Sequence, residues 1–185
     1  MEGATADDNP RFQCEPTNIV LDWWFDQMVN VIEQEDTEIR MTYGFMDLVR
    51  TIHLDGTGMP DDHVPSRAGY STGTWEGDTL VVTTSGFDDG WIMAPMSGAP
   101  GEPQAGEGRP ERPEGAGPVA VRNSPELTVT ERFTLNDDGT VLHRAYEFVD
   151  PLYLEAPITG SDEVTLTADA YEPYECDDLT TERSE

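Results

Sequence analysis

The sequence predicts an all-β protein, an antiparallel β-barrel or roll of about eight short strands with little helix. Three observations carry this. Short runs rich in Val, Ile, Thr and aromatic residues recur along the chain, each bounded by Gly, Pro, Asp or Asn. An Asp-Gly hairpin signal, Asn136-Asp137-Asp138-Gly139, stands between two such runs. No stretch keeps the apolar spacing of a long amphipathic helix.

Taken in order, the runs at 28–33, 38–43 and 47–54 are the first strands. The LDWWFD stretch before them, 21–26, reads as a strand or as a short helical turn, because six residues are too few for periodicity to decide. Asp55-Gly56-Thr57-Gly58 is a turn, and a Pro- and Asp-bearing loop follows it to Arg67. The clearest strand pair is 70–75 with 79–85, joined at Glu76-Gly77-Asp78. A second pair, 127–135 and 140–148, flanks the Asp-Gly turn, and a last strand is expected at 163–171. The domain reading is a polar leader at 1–18, one β-barrel domain at 19–176 and an acidic tail at 177–185. Inside the domain, 95–118 is nearly all Gly, Pro, Ala, Glu and Arg. With no apolar face to offset its ordering entropy, it is expected to be a disordered insertion.

Thirty-eight Asp and Glu face ten Arg and no Lys, a formal net charge of −28. Such a chain is repelled by nucleic acid and by anionic membranes, so neither is expected as a partner. Without lysine, Schiff-base chemistry and a lysine general base are excluded. Excess acid with no lysine suits high salinity, where salt, or divalent cations at the acidic surface, screens the self-repulsion. A calcium-rich or acidic extracellular setting is the alternative. No run approaches the ~20 apolar residues of a membrane span, and the polar first residues hold no signal h-region. Two localisations stay open: secreted or periplasmic with the signal peptide already removed, or the cytoplasm of a salt-accumulating halophile. Cys14 and Cys176 lie far apart, with no CxxC partner or neighbouring His. One disulfide tying the ends together in an oxidising compartment is the expectation, and two buried thiols are the alternative.

Strand alternation singles out two charges. One face of 127–135 reads Leu127, Val129, Glu131, Phe133, Leu135, and one face of 47–54 reads Leu48, Arg50, Ile52, Leu54. An isolated buried charge is costly unless paired, so Arg50 and Glu131 are expected to meet inside the barrel, with Tyr43 or Tyr146 completing the hydrogen bonds. The pair reads either as an ion pair that fixes strand register, or as the polar anchor of a ligand pocket. In the second case Glu131 is a candidate catalytic acid or base.

Other chemistry-bearing residues give weaker signals. His53 and His143 fall opposite the more apolar strand faces and are expected at the surface. His63 follows Asp61-Asp62 in a loop that also holds Asp55, a donor set suited to a divalent ion. The spacing fits no EF-hand, HExxH or zinc signature, so no metal site is assigned. Ser71, Ser85 and Ser124 lack a nucleophile elbow, and no phosphate-binding glycine motif calls for a cofactor. Trp23, Trp24, Phe25 and Trp75 are expected mostly in the core. Trp91, with Ile92-Met93, is a candidate lining of a barrel mouth that takes a small apolar or amphipathic molecule.

The run Gly69-Tyr70-Ser71-Thr72-Gly73-Thr74-Trp75-Glu76-Gly77-Asp78-Thr79-Leu80-Val81-Val82, ending at Gly86-Phe87, resembles a segment of a large family of bacterial secreted proteins with no assigned reaction. The stretches 49–56, 127–133 (LTVTERF) and 174–176 are similar to the same family, so the resemblance spans about 40–176. More distantly the chain is similar to lipocalin and calycin barrels, in which a Gly-x-Trp element packs the floor. That resemblance implies a secreted β-barrel with Trp75 as its floor residue, and implies no activity. Met59-Pro60 and Asn123-Ser124 stand where the family commonly has His-Pro and His-Ser. The functional expectation is a secreted or periplasmic barrel that binds a small molecule in an apolar pocket anchored by Arg50 and Glu131. The alternatives are an acid–base enzyme of lyase, isomerase or hydratase type, and a structural protein that assembles through exposed strand edges.

Overall fold

The computed structural model describes residues 9–20, 22–24, 29–44, 46–94, 120–173 and 176. Its strands are β1 (Val29–Gln34), β2 (Glu38–Tyr43), β3 (Val49–His53), β4 (Tyr70–Glu76), β5 (Thr79–Ser85), β6 (Gly90–Met93), β7 (Val121–Asn123), β8 (Thr128–Leu135), β9 (Val141–Val149) and β10 (Ile158–Thr165). Eight of them form one sheet in the order β1-β2-β3-β4-β5-β8-β9-β10, and β6 with β7 makes a separate ribbon. The large sheet curls into a half-barrel, an all-β roll. Its pairs are antiparallel except β3 with β4, which run parallel through Ile52↔Ser71 and His53↔Thr72. A crossover loop, 54–69, makes that parallel step.

Local chemistry places the turns. At the β8–β9 hairpin Asn136 Oδ1 accepts from the amides of Thr140 (2.8 Å) and Val141 (3.0 Å). Gly139 supplies the left-handed residue there, with φ of 73°. Along each strand one face turns inward, so Ile39, Met41, Tyr43, Ile52, Leu80, Val82, Val129, Phe133 and Phe148 are buried. These residues, with Ile19, Val20 and Trp23 from the N-terminal segment, make one contiguous core.

Two features depart from the sequence expectation. The last strand is Ile158–Thr165 rather than 163–171. Its centre holds Gly160, paired with Tyr146 of β9. A Cβ on Gly160 would collide with the Tyr146 hydroxyl, so the strand accepts the ring by having no side chain there. The short β6–β7 ribbon was not expected at all.

From Asn9 onward, the segment read as a polar leader is built into the body. The Arg11 guanidinium bonds Asp22 Oδ1 at 3.0 Å, and Asn18 Nδ2 bonds the Trp91 carbonyl at 2.5 Å and Asn123 Oδ1 at 3.1 Å. Polar side chains that would be expected in solvent are here buried and hydrogen-bonded. The LDWWFD stretch forms a 3-10 turn at Asp22–Trp24, the helical one of its two readings. Cys14 and Cys176 form a disulfide with Cα atoms 5.7 Å apart. Among the described residues no helix is long and apolar enough to cross a membrane. The insertion expected at 95–118, the tail at 177–185 and the first eight residues lie outside the described residues.

Candidate functional site

The interior of the roll has two levels of opposite character. The first is polar. Alternation along β3 and β8 turns Arg50 and Glu131 inward, and both are fully buried. Arg50 Nη2 donates to Glu131 Oε2 at 2.5 Å and to Thr84 Oγ1 at 2.8 Å. Its Nε donates to Ser71 Oγ at 2.9 Å, and Nη1 reaches the Tyr43 hydroxyl at 3.4 Å. A second arginine completes the set. Arg144, on β9, donates from Nη1 to Glu131 Oε1 at 3.2 Å and grips Asp162 on β10 with two bonds, 2.9 and 2.6 Å. Its guanidinium lies 4.2 Å from the Trp23 ring centre and 4.7 Å from that of Tyr146.

This layer is electrically balanced, two guanidiniums against two carboxylates, and both oxygens of Glu131 are engaged by arginine. Mutual pairing offsets the desolvation each charge would otherwise suffer. Burial pushes the Tyr43 phenol above its ordinary pKa, opposed by the nearby Arg50. Tyr146 joins the group through Arg144, with its ring stacked on Phe148 at 4.6 Å.

Towards the end of the roll marked by the β4–β5 and β8–β9 turns, the second level is hollow, with apolar inner walls and polar residues among its lining. A cavity of about 1010 Å³ opens there. Ile32 of β1, Met41 of β2, Leu80 of β5, Phe133 of β8, Leu142 of β9 and Val164 of β10 form its apolar walls. Trp75 stands among the wall residues, 48% exposed. Arg50, Glu131, Tyr43, Tyr146 and Trp91 do not line this space. Phe133 lies two residues beyond Glu131 on the same strand face, and Met41 pairs across from Arg50. Both belong to the cavity wall. The structure thus unites Arg50, Glu131 and Tyr43 and separates them from the pocket they were expected to anchor.

The remaining expected residues fall elsewhere. Trp91 sits on the β6–β7 ribbon with the Arg122 guanidinium 5.3 Å from its ring centre, away from the cavity. Trp75 is no floor residue: it ends the inner face of β4 beyond the closed part of the roll, so one side meets solvent. Trp23, not Trp75, fills the core. His143 is exposed, 3.2 Å from Glu163. His53 is half-buried instead, stacked on Tyr70 at 4.6 Å, and His63 meets the same ring edge-on. His63 Nε2 lies 3.0 Å from the Gly86 carbonyl. Among the described residues no group of three or more His, Cys, Asp or Glu side chains is placed to hold a metal.

The sequence reading expected an apolar pocket but missed the residues that line it, and it missed Arg144 and Asp162. The signal for Arg144 was present, since it lies between Leu142 and Tyr146 on the inward face of β9. Asp162 was hidden because β10 was placed too late in the chain. No protein-family profile, curated protein or solved structure matches this chain.

Proposed function

We propose that this protein binds a small, largely apolar molecule in the cavity at the open end of the roll. The observation that carries the reading is the cavity itself: about 1010 Å³, at the upper end of the range for small-molecule sites, with apolar wall residues from six strands of the large sheet and Trp75 at its side. The Arg50–Glu131–Arg144–Asp162 layer, buried except at the part-buried Asp162, holds strands β3, β8, β9 and β10 in register beneath that cavity and does not touch the ligand. The acid–base enzyme alternative, which relied on Glu131, loses its support because Glu131 does not reach the cavity. The Cys14–Cys176 disulfide supports a secreted or periplasmic setting for this activity.

Titration with 1-dodecanol, followed by tryptophan emission, tests the reading. Binding is expected at one molecule per chain, with a blue shift that disappears in Trp75→Phe. No saturable binding, or a shift that persists unchanged in Trp75→Phe, contradicts it. If the chain instead assembles through the outer edges of β1 and β10, which have no further strand partner among the described residues, the titration is silent and the molecular mass in solution is a multiple.

A further inference from the structure

The charge around the cavity narrows the class of ligand, an inference that rests on the binding reading above. Three carboxylates stand at the cavity wall: Asp78 on the β4–β5 turn, Asp137 on the β8–β9 turn and Asp169 after β10; Glu163 borders it too, but alternation with the inward Asp162 and Val164 turns its carboxylate to the outer face of the sheet. No arginine or histidine accompanies them among the described residues. The described arginines are committed elsewhere. Arg50 and Arg144 are sealed in the polar layer, and Arg11 is held by Asp22. Arg67 and Arg122 pair with Asp88 and Asp89, Arg132 pairs with Glu76, and Arg40 is on the solvent face of β2. On the outer face of the sheet Glu163 lies 3.2 Å from His143.

We infer that the cavity selects a cationic amphiphile: an apolar body in the hollow, and an amine or quaternary ammonium head among these carboxylates. Two further features fit that head. Trp75 presents an indole at the same mouth, and a ring face attracts a cation. The engaged arginines leave an anionic head, such as a fatty carboxylate, with three like charges and no counter-charge.

The test compares three ligands with one tail: dodecyltrimethylammonium, 1-dodecanol and dodecanoate. Each is titrated calorimetrically, below its micelle concentration, into the full disulfide-bonded chain. At about 0.1 M salt the ammonium is expected to bind on the order of tenfold or more tighter than the carboxylate, with the alcohol between. The gap should close in molar salt. In the variant Asp78→Asn, Asp137→Asn, Asp169→Asn the preference should collapse while dodecanol affinity stays. In Leu142→Trp, which narrows the cavity, ammonium and alcohol should both weaken. If Leu142→Trp keeps its ammonium affinity, the head is held by the general surface charge and the inference fails. If dodecanol binds but ammonium is no tighter than dodecanoate, the inference fails and the binding reading stands. If none of the three binds, both fall.

Discussion

The polar layer and the open mouth lie within two residues of each other on β8, yet they solve opposite problems. Around Glu131 the roll buries two arginines and pairs them with Glu131 and the part-buried Asp162; at Phe133 and beyond, it offers open space. The sealed layer answers the cost of desolvated charge by satisfying each group from within the fold. The mouth leaves Leu142, Val164 and Trp75 only partly covered, a state that further apolar contact would improve. A buried charge therefore marks what holds this roll together, and a hollow beside it marks where something else can enter.

Breaking the frame should have the largest effect and should leave the mouth's chemistry alone. Replacing both cysteines by Ser removes a link between residues 162 apart in sequence. By loop entropy this should lower stability by up to about 5 kcal/mol, measured as a shift in the urea midpoint. Arg50→Met strips Glu131 of one of its two arginines. A loss of about 3–5 kcal/mol is expected from the uncompensated buried charge, with dodecanol affinity of the folded protein unchanged.

A third test uses pH. Burial raises the Asp22 carboxyl to about 6, despite the opposing effect of Arg11, against an ordinary value of 3.8. The folded state thus takes up this proton more readily than the unfolded chain. Its contribution is greatest below about pH 4 and is lost as pH rises through 6, amounting to about 3 kcal/mol. Other acids titrate in the same window, so the readout is the difference in urea stability between parent and Asp22→Asn across pH 4–7. That difference should change in the stated direction; a difference independent of pH contradicts the assignment. The smallest stability effect belongs to the mouth. Leu142→Trp should shift stability by no more than about 1 kcal/mol, since it fills open space rather than a packed core, while weakening dodecanol at least about tenfold.

Much of the frame was legible in the sequence, because alternation and turn chemistry act locally. Glu38–Tyr43 and Thr79–Ser85 follow from β-branched and aromatic residues bounded by turns, and Asn136 and Gly139 announce their hairpin. Arg50 and Glu131 were visible as charges on apolar faces. β10 was not, because Gly160 and the polar residues around it resemble a loop until the Tyr146 ring is laid over them. The β6–β7 ribbon was missed because only three or four residues form each strand. The N-terminal segment escaped for a similar reason: Asn9, Thr17, Asn18 and Asp22 look solvent-exposed in sequence, and only distant partners make their burial tolerable. The cavity left no local trace. It arises from how far the sheet curls, and it gathers wall residues from β1 to the chain after β10.

If the proposed ligand binds, one level of the roll must meet it and the other must not. The deciding measurement is the dissociation constant of a neutral fluorescent probe, N-phenyl-1-naphthylamine, for the parent, Leu142→Trp and Arg50→Met under conditions where all three are folded. The expected result is at least about tenfold weaker binding in Leu142→Trp with Arg50→Met equal to the parent. Unchanged binding in Leu142→Trp together with loss in Arg50→Met would contradict the account and return the site to the polar layer.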